Sequence, residues 1–213
     1  MKKITAEEFY KGFLDCIKKG VSEGKTPWEE SRKRYHNDFT GYINKELMPQ
    51  YLKNFSSDFS NEYYRFDVSC WEQKKDEVES ICKKVKMNSH LWDFCVAFEH
   101  ENNLKDWFDE VIKLLFIDCP LKVVVGYNKY SKRFTENDLE SDCSKMDALC
   151  KILGKLQRIN DLLKNKVFLI ILGNGGRSKK DRKYEQYTDK EYFGYKGYKL
   201  CIKGNEVSYE EIK

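Results

Sequence analysis

A chain of 213 residues, 40% hydrophobic and 15% aromatic, can bury a real core and suits one domain over 1–213. Its net charge of +4 is compatible with a polyanionic partner without specifying one. No apolar run reaches the length of a membrane span, no apolar leader follows Met1, and eight cysteines without a CxxC pair beside three histidines argue against a zinc module, so free thiols in a reducing cytoplasm are expected.

Thr5-Ala-Glu-Glu8 has the spacing of a capping box, and Phe9, Phe13, Ile17 and Val21 recur at helical spacing, predicting a first helix that ends near Gly20. Thr26-Pro-Trp-Glu29 repeats the start signal. Tyr35, Phe39, Tyr42, Ile43, Leu47 and Tyr51 continue that stripe, and Pro49 is expected to bend or end it. Glu46 lies on the flank of the stripe; it either reaches a site at the sheet or is an ordinary solvated glutamate.

Residues 54–61 are rich in Ser, Asn and Asp and predict a loop. Residues 62–71, Glu-Tyr-Tyr-Arg-Phe-Asp-Val-Ser-Cys-Trp, predict one aromatic strand. Asp67 stands in the middle of it, on the face of Arg65 and Ser69, where a carboxylate needs a partner. Residues 72–90 predict a short helix, with Val78, Ile81, Cys82 and Val85 at helical spacing, or a long excursion between strands.

Trp92–Glu101 predicts the next strand. Alternation places Ala97, Glu99 and Glu101 on one face and Val96, Phe98 and His100 on the other. Two carboxylates spaced this way repel, which a hard cation such as Mg2+ would relieve; the alternative is an edge strand with an exposed acidic face. Asn102 or Asn103 is expected to cap a helix whose apolar face is Leu104, Trp107, Phe108, Val111, Leu114 and Leu115. Glu110 and Lys113 lie off that face, at the spacing of a surface ion pair. Residues 121–127 form a β-branched run that predicts a buried strand, and a strand–helix–strand of this length implies parallel pairing.

Residues 135–163 predict one long helix containing Gly154, and Val167–Leu172 another buried strand. Gly173-Asn-Gly-Gly176 predicts a plain turn rather than a phosphate cradle, because neither GK[ST] nor an apolar helix follows. Arg177, Lys179, Lys180, Arg182 and Lys183 form a basic loop, followed by Tyr184, Tyr187, Tyr192, Phe193, Tyr195 and Tyr198. Such interleaving suits a nucleic-acid backbone and its bases, or else a solvated loop leading into an aromatic strand. Residues 198–209 predict a terminal strand or hairpin.

Asp67, Glu99 and Glu101 thus form one candidate acidic cluster if their strands are neighbours. A cation held there would activate water against a phosphodiester. No Ser/His or Cys/His nucleophile pattern competes; His36, His90 and His100 have no recognisable setting.

"YYRFDVSCW", "VAFEHEN", "LKDWFDEVIKL" and "PLKVVVGY" together resemble the PD-(D/E)xK, or restriction-endonuclease-like, nuclease superfamily. The similarity covers roughly residues 30–127, with the pattern continuing to 172. It implies an α/β fold with an αβββαβ core, a mixed central sheet flanked by helices over 30–172, and a C-terminal extension at 173–213. It also implies a nuclease that hydrolyses DNA with Mg2+ or Mn2+ as cofactor, with Asp67, Glu99 and Glu101 as metal ligands. Glu101 replaces the motif lysine, as in Glu-x-Glu members, and Lys113 is the candidate to supply that charge. Glu46 or Glu62 would add a ligand or orient water, and a homodimer with a restriction or defence role would follow from the family. Two alternatives stand beside this reading. One is an inactive nucleic-acid- or protein-binding domain on the same fold. The other is an ordinary interaction domain in which Asp67 and Glu99 lie far apart.

Overall fold

The computed structural model describes residues 4–22, 41–56, 58–63, 66–73, 75–87, 92–101, 103, 105–129, 139, 141–176, 194–204 and 206–213. The capping box forms as expected: the Thr5 N–H donates to Glu8 Oε2 and the Glu8 N–H to Thr5 Oγ1, both at 3.1 Å. It opens helix α1 (Ala6–Ser22). A π-helical turn (Tyr42–Leu47) then runs directly into α2 (Met48–Leu52). Pro49 does not end this helix. The helical run continues past it to Leu52, and the widened turn comes immediately before it.

Among the described residues, seven strands follow in one mixed sheet whose spatial order is the sequence order. They are β1 (Asp58–Tyr63), β2 (Phe66–Gln73), β3 (Trp92–His100), β4 (Leu121–Lys129), β5 (Val167–Gly176), β6 (Lys196–Lys203) and β7 (Glu206–Ile212). The pairs β3/β4 and β4/β5 are parallel, and the rest are antiparallel. The expected parallel pairing of the strands at 92–101 and 121–127 is therefore present. Helix α3 (Lys75–Val85) fills the connection from β2 to β3, and α4 (Trp107–Leu115) that from β3 to β4. Helices α5 (Asp142–Leu153) and α6 (Ile159–Leu163) lead to β5.

Five expectations are corrected. Residues 58–61 are not loop, and 62–71 is not one strand: β1 pairs antiparallel with β2, Tyr63 opposite Phe66. Its polar composition fits the outermost strand of a sheet, which pairs on one side only. The helix expected at 135–163 is two, since α5 stops at Gly154 and starts at Ser141, whose Oγ accepts from the Ser144 N–H at 3.1 Å. The Gly-rich segment at 173–176 continues β5, with Gly173 opposite Tyr127 and Gly176 opposite Lys129. The helix after β3 begins at Trp107 with Asp106 as its N-cap residue, not at Asn102 or Asn103. The segment expected as a C-terminal extension supplies β6 and β7 to the same sheet, so it is part of the fold.

Each face of the sheet carries an apolar layer. Val68, Cys70, Val96, Phe98, Val123, Val125, Leu169 and Ile171 pack against α1 and the 42–52 helix. Ala97, Val124, Ile170 and Leu172 pack against α4, α5 and α6 through Trp107, Val111, Leu114, Met146, Leu149 and Leu163. The alternation predicted for Val96–Glu99 is the observed one. Helix α4 is seated by Gly126: a Cβ there would stand 2.7 Å from the Trp107 Cβ and Cγ. Gly126→Ala is expected to lower unfolding stability by about 1–3 kcal/mol, read as a shifted midpoint in urea.

Candidate active site at the ends of the central strands

Antiparallel pairing sets Val68 opposite Phe98 and Ser69 opposite Ala97; one further step along this register brings Asp67 opposite Glu99. On top of burial, Asp67 raises the Glu99 pKa by repulsion, and both carboxylates feel the Lys113 charge from α4. Asp67 Oδ2 accepts the His100 backbone N–H at 2.7 Å. The Asn44 side chain also donates to Asp67, and Asn44 is itself buried on the π-helical turn with its Oδ1 unpartnered. Burial pushes the Asp67 carboxyl up; the His100 amide, Asn44 and the Lys113 charge oppose that.

Glu99 is 3% exposed. Its Oε1 lies 2.7 Å from Lys113 Nζ, and Lys113 Nζ in turn lies 2.5 Å from Glu110 Oε2. Burial drives the Glu99 pKa up to about 8; repulsion from Asp67 and Glu110 adds to it, and Lys113 offsets only part. On Lys113, burial acts downward, but contact with Glu110 and Glu99 outweighs it and the pKa rises. The ammonium is thus a fixed positive charge wedged between two acids, one of them largely neutral at pH 7.

Helix α4 delivers Lys113 because its apolar stripe, Trp107, Val111, Leu114 and Leu115, is buried against β4. The C-terminus of α4 is anchored from below by Lys122, fully buried on β4, whose Nζ donates to the Leu115 carbonyl at 2.9 Å. Burial and then Lys166 lower the Lys122 pKa to about 8. On the opposite face, His100 Nε2 hydrogen-bonds the Tyr127 hydroxyl at 2.7 Å, which meets the Tyr195 hydroxyl at 2.8 Å. The Tyr10 hydroxyl donates to the Tyr195 carbonyl at 2.7 Å, tying α1 into the same chain of contacts. Burial holds His100 neutral, with its pKa down at about 3.

The structure therefore brings together Asp67, Glu99 and Lys113 of the residues singled out in the sequence. Their distant, solvent-facing arrangement is excluded. Glu101 follows the end of β3, and its Oε1 accepts the Asn103 N–H at 2.6 Å, so its carboxylate serves the turn. Glu110 is the third carboxylate in the field of Asp67 and Glu99. Lys113 does not merely pair with Glu110 at the surface; it bridges inward to Glu99. Glu46 is exposed, and the neighbouring Asn44 is the side chain that this helix brings to Asp67. Glu62 lies on β1, one strand further out than Asp67. Arg177, Lys179, Lys180, Arg182 and Lys183 lie outside the described residues. Tyr195 and Tyr198 are buried, so they are not platforms for bases.

Asn44 was missed because it sits in an apolar stripe, and its role depends on the π-helical turn. Among the described residues, no group of three or more Asp, Glu, His or Cys side chains stands ready to hold a metal ion. No helix among them is long and apolar enough to cross a membrane. No family model, curated protein or solved structure matches this chain.

Proposed function

We propose that this protein is a metal-dependent nuclease that hydrolyses DNA phosphodiester bonds, with Asp67 and Glu99 as carboxylates for Mg2+ or Mn2+ and Lys113 as the positive charge beside the attacked phosphate. One observation carries the reading: Asp67 and Glu99 stand in each other's field beside the same ammonium, and that lysine, from the crossover helix, reaches Glu99 at 2.7 Å. The lysine absent from the motif position, where Glu101 stands, is thus available from α4. Apart from the inserted helix α3 between β2 and β3, the order helix, β1, β2, β3, α4, β4 supports the same reading through the αβββαβ core of the restriction-endonuclease-like superfamily.

The residues present fit a divalent cation. Glu99 is held protonated by burial and by its acidic neighbours, and a cation would reverse that penalty. Magnesium commonly takes only one or two protein carboxylates, with water and substrate phosphate completing its shell. When bound, it would stabilise charge developing on the phosphate and lower the pKa of a water. The chain's own groups do the rest. The His100 amide and Asn44 orient Asp67, Glu110 holds Lys113, and the Lys113 ammonium faces negative charge in a partly dry site.

A second reading, a catalytically inactive nucleic-acid- or protein-binding domain on the same fold, is favoured by Lys113 itself. Its ammonium bridges Glu99 and Glu110 internally, in the place a cation would take. Isothermal titration of Mn2+ into the protein, beside an Asp67→Ala/Glu99→Ala variant of confirmed fold, separates the two. The nuclease reading expects uptake by the parent, at least tenfold weaker uptake by the variant, and metal-dependent cleavage of DNA. A parent that takes up no Mn2+, with or without DNA, leaves the binding domain as the reading.

A further inference from the structure

Along β3 the alternation of faces breaks at Cys95. Strict alternation would put Cys95 in the layer of Ala97 and Phe94 in the layer of Val96. The opposite is observed: Cys95 is buried with Val96 and Phe98, and Phe94 packs with Ala97. The cause is a shift of register. Cys70 pairs with Val96, but the next residue, Trp71, pairs with Phe94, so Cys95 is an extra residue on β3 facing Cys70. Cys70 lies in the same layer as Cys95. The bulge thus turns two cysteines of neighbouring strands toward each other, and their side chains hydrogen-bond. Residues facing each other in an antiparallel pair have Cα atoms about 4.5–5.5 Å apart, inside the range of about 4.4–6.8 Å that a disulfide spans. Cys119 belongs to the layer on the other side of the sheet, where its thiol donates to the Leu121 carbonyl at 3.2 Å.

The two sulfurs are not equivalent. Cys95 is 6% exposed and Cys70 0%. Asp93, at the start of the same strand, is exposed, and the Cys95 thiol donates to its carbonyl at 3.7 Å. The hydrogen bond from Cys70 lowers the Cys95 pKa against burial and the Glu72 and Asp93 charges. The same bond, followed by burial, pushes the Cys70 thiol up. The thiolate therefore belongs on the outer sulfur, with a second, protonated sulfur behind it.

We propose that Cys70 and Cys95 form a modification site that takes a hydroperoxide and closes to a reversible disulfide between β2 and β3. With hydrogen peroxide, the Cys95 thiolate attacks one oxygen, the O–O bond breaks, and the departing hydroxide combines with the proton Cys95 released, forming water. The Cys70 sulfur then displaces the hydroxyl of the Cys95 sulfenic acid, and that hydroxyl leaves with the Cys70 proton as a second water. The thiol pair gives up two electrons and the peroxide accepts them. The bond draws on none of the groups that carry the nuclease reading, but it pins the β2/β3 register that brings Asp67 opposite Glu99.

The folded full chain treated with hydrogen peroxide, blocked with N-ethylmaleimide while unfolding, and digested for mass spectrometry tests this. Cys70 and Cys95 are expected to lose N-ethylmaleimide labelling together and to appear as one linked peptide, two hydrogens lighter than its parts, which dithiothreitol releases. Cys70→Ser keeps a hydrogen-bond donor beside Cys95 but no second sulfur. In that protein, with circular dichroism unchanged, the sulfenic acid is expected to persist and to be trapped by dimedone at Cys95. A treated parent in which both cysteines still take N-ethylmaleimide overturns the proposal, as does one in which they are linked only to other cysteines. A folded Cys70→Ser protein whose Cys95 takes no dimedone overturns it too.

Discussion

On the proposed nuclease reading, Lys113→Met is expected to lower metal-dependent DNA cleavage by about two to three orders of magnitude, the usual cost of removing one fixed donor or charge from a transition state. DNA affinity should fall far less, because affinity is spread over many phosphate contacts. The large effect follows from where the ammonium sits. It is 37% exposed, lies within 2.7 Å of Glu99 and is anchored on its other side by Glu110. A charge there acts in a lower effective dielectric than a surface lysine does. Glu110→Gln leaves the ammonium in place but removes one anchor, so roughly a tenfold loss is expected, mostly in the chemical step. Lys113→Arg should not restore full activity, since a planar guanidinium fork does not replace a compact ammonium. Single-turnover kinetics, with thermal melts to confirm the fold, reads all three variants. A Lys113→Met protein that cuts within threefold of the parent would remove Lys113 from the chemistry.

How much of this was legible in the sequence depends on the range of the interaction. Alternation along Val96–Glu99 is local, and it told correctly which side chains face which layer. That Asp67 meets Glu99 depends on the β2/β3 register, which is set across 31 intervening residues that include α3. The sequence could only state it as a condition. Glu101 follows Glu99 at strand spacing, so alternation alone assigned it to the same cluster. The strand ends one residue earlier, and the Asn103 amide draws its carboxylate into the turn. Glu46 and Asn44 are two positions apart on one helix, and a π-helical turn decides which is buried. Propensity carries no signal for that choice. The polar strand β1 and the glycine-rich end of β5 were hidden for a related reason. Both are held by pairing with a neighbouring strand, and their own composition argues for loop.

The stability of the metal-free protein is expected to hold level between about pH 4.5 and 6.5 and then to fall as pH rises toward 8. Glu99→Gln is expected to remove most of that fall. The sign follows from the two buried groups. Glu99 has its pKa raised from 4.5 to about 8, so the folded state binds the extra proton between those values and this contribution declines as pH rises. His100 has its pKa lowered from 6.5 to about 3, so the unfolded state binds the extra proton there and this contribution grows as pH rises. The two slopes oppose each other from 4.5 to 6.5, leaving Glu99 alone above that range. At about 1.4 kcal/mol per pH unit, the loss by pH 8 is on the order of 2 kcal/mol. Asp67, also raised by burial, acts in the same direction as Glu99. Urea denaturation at successive pH values reads the curve. Mg2+ should act most strongly where the curve has fallen, because at pH 8 less proton has to be displaced from Glu99 than at pH 6. Equal stabilisation by Mg2+ at pH 6 and pH 8, in both the parent and Glu99→Gln, would place any bound metal away from Glu99. A parent curve that rises to about pH 6.5 and stays level above it would mean that Glu99 is ionised in the folded protein, held by Lys113.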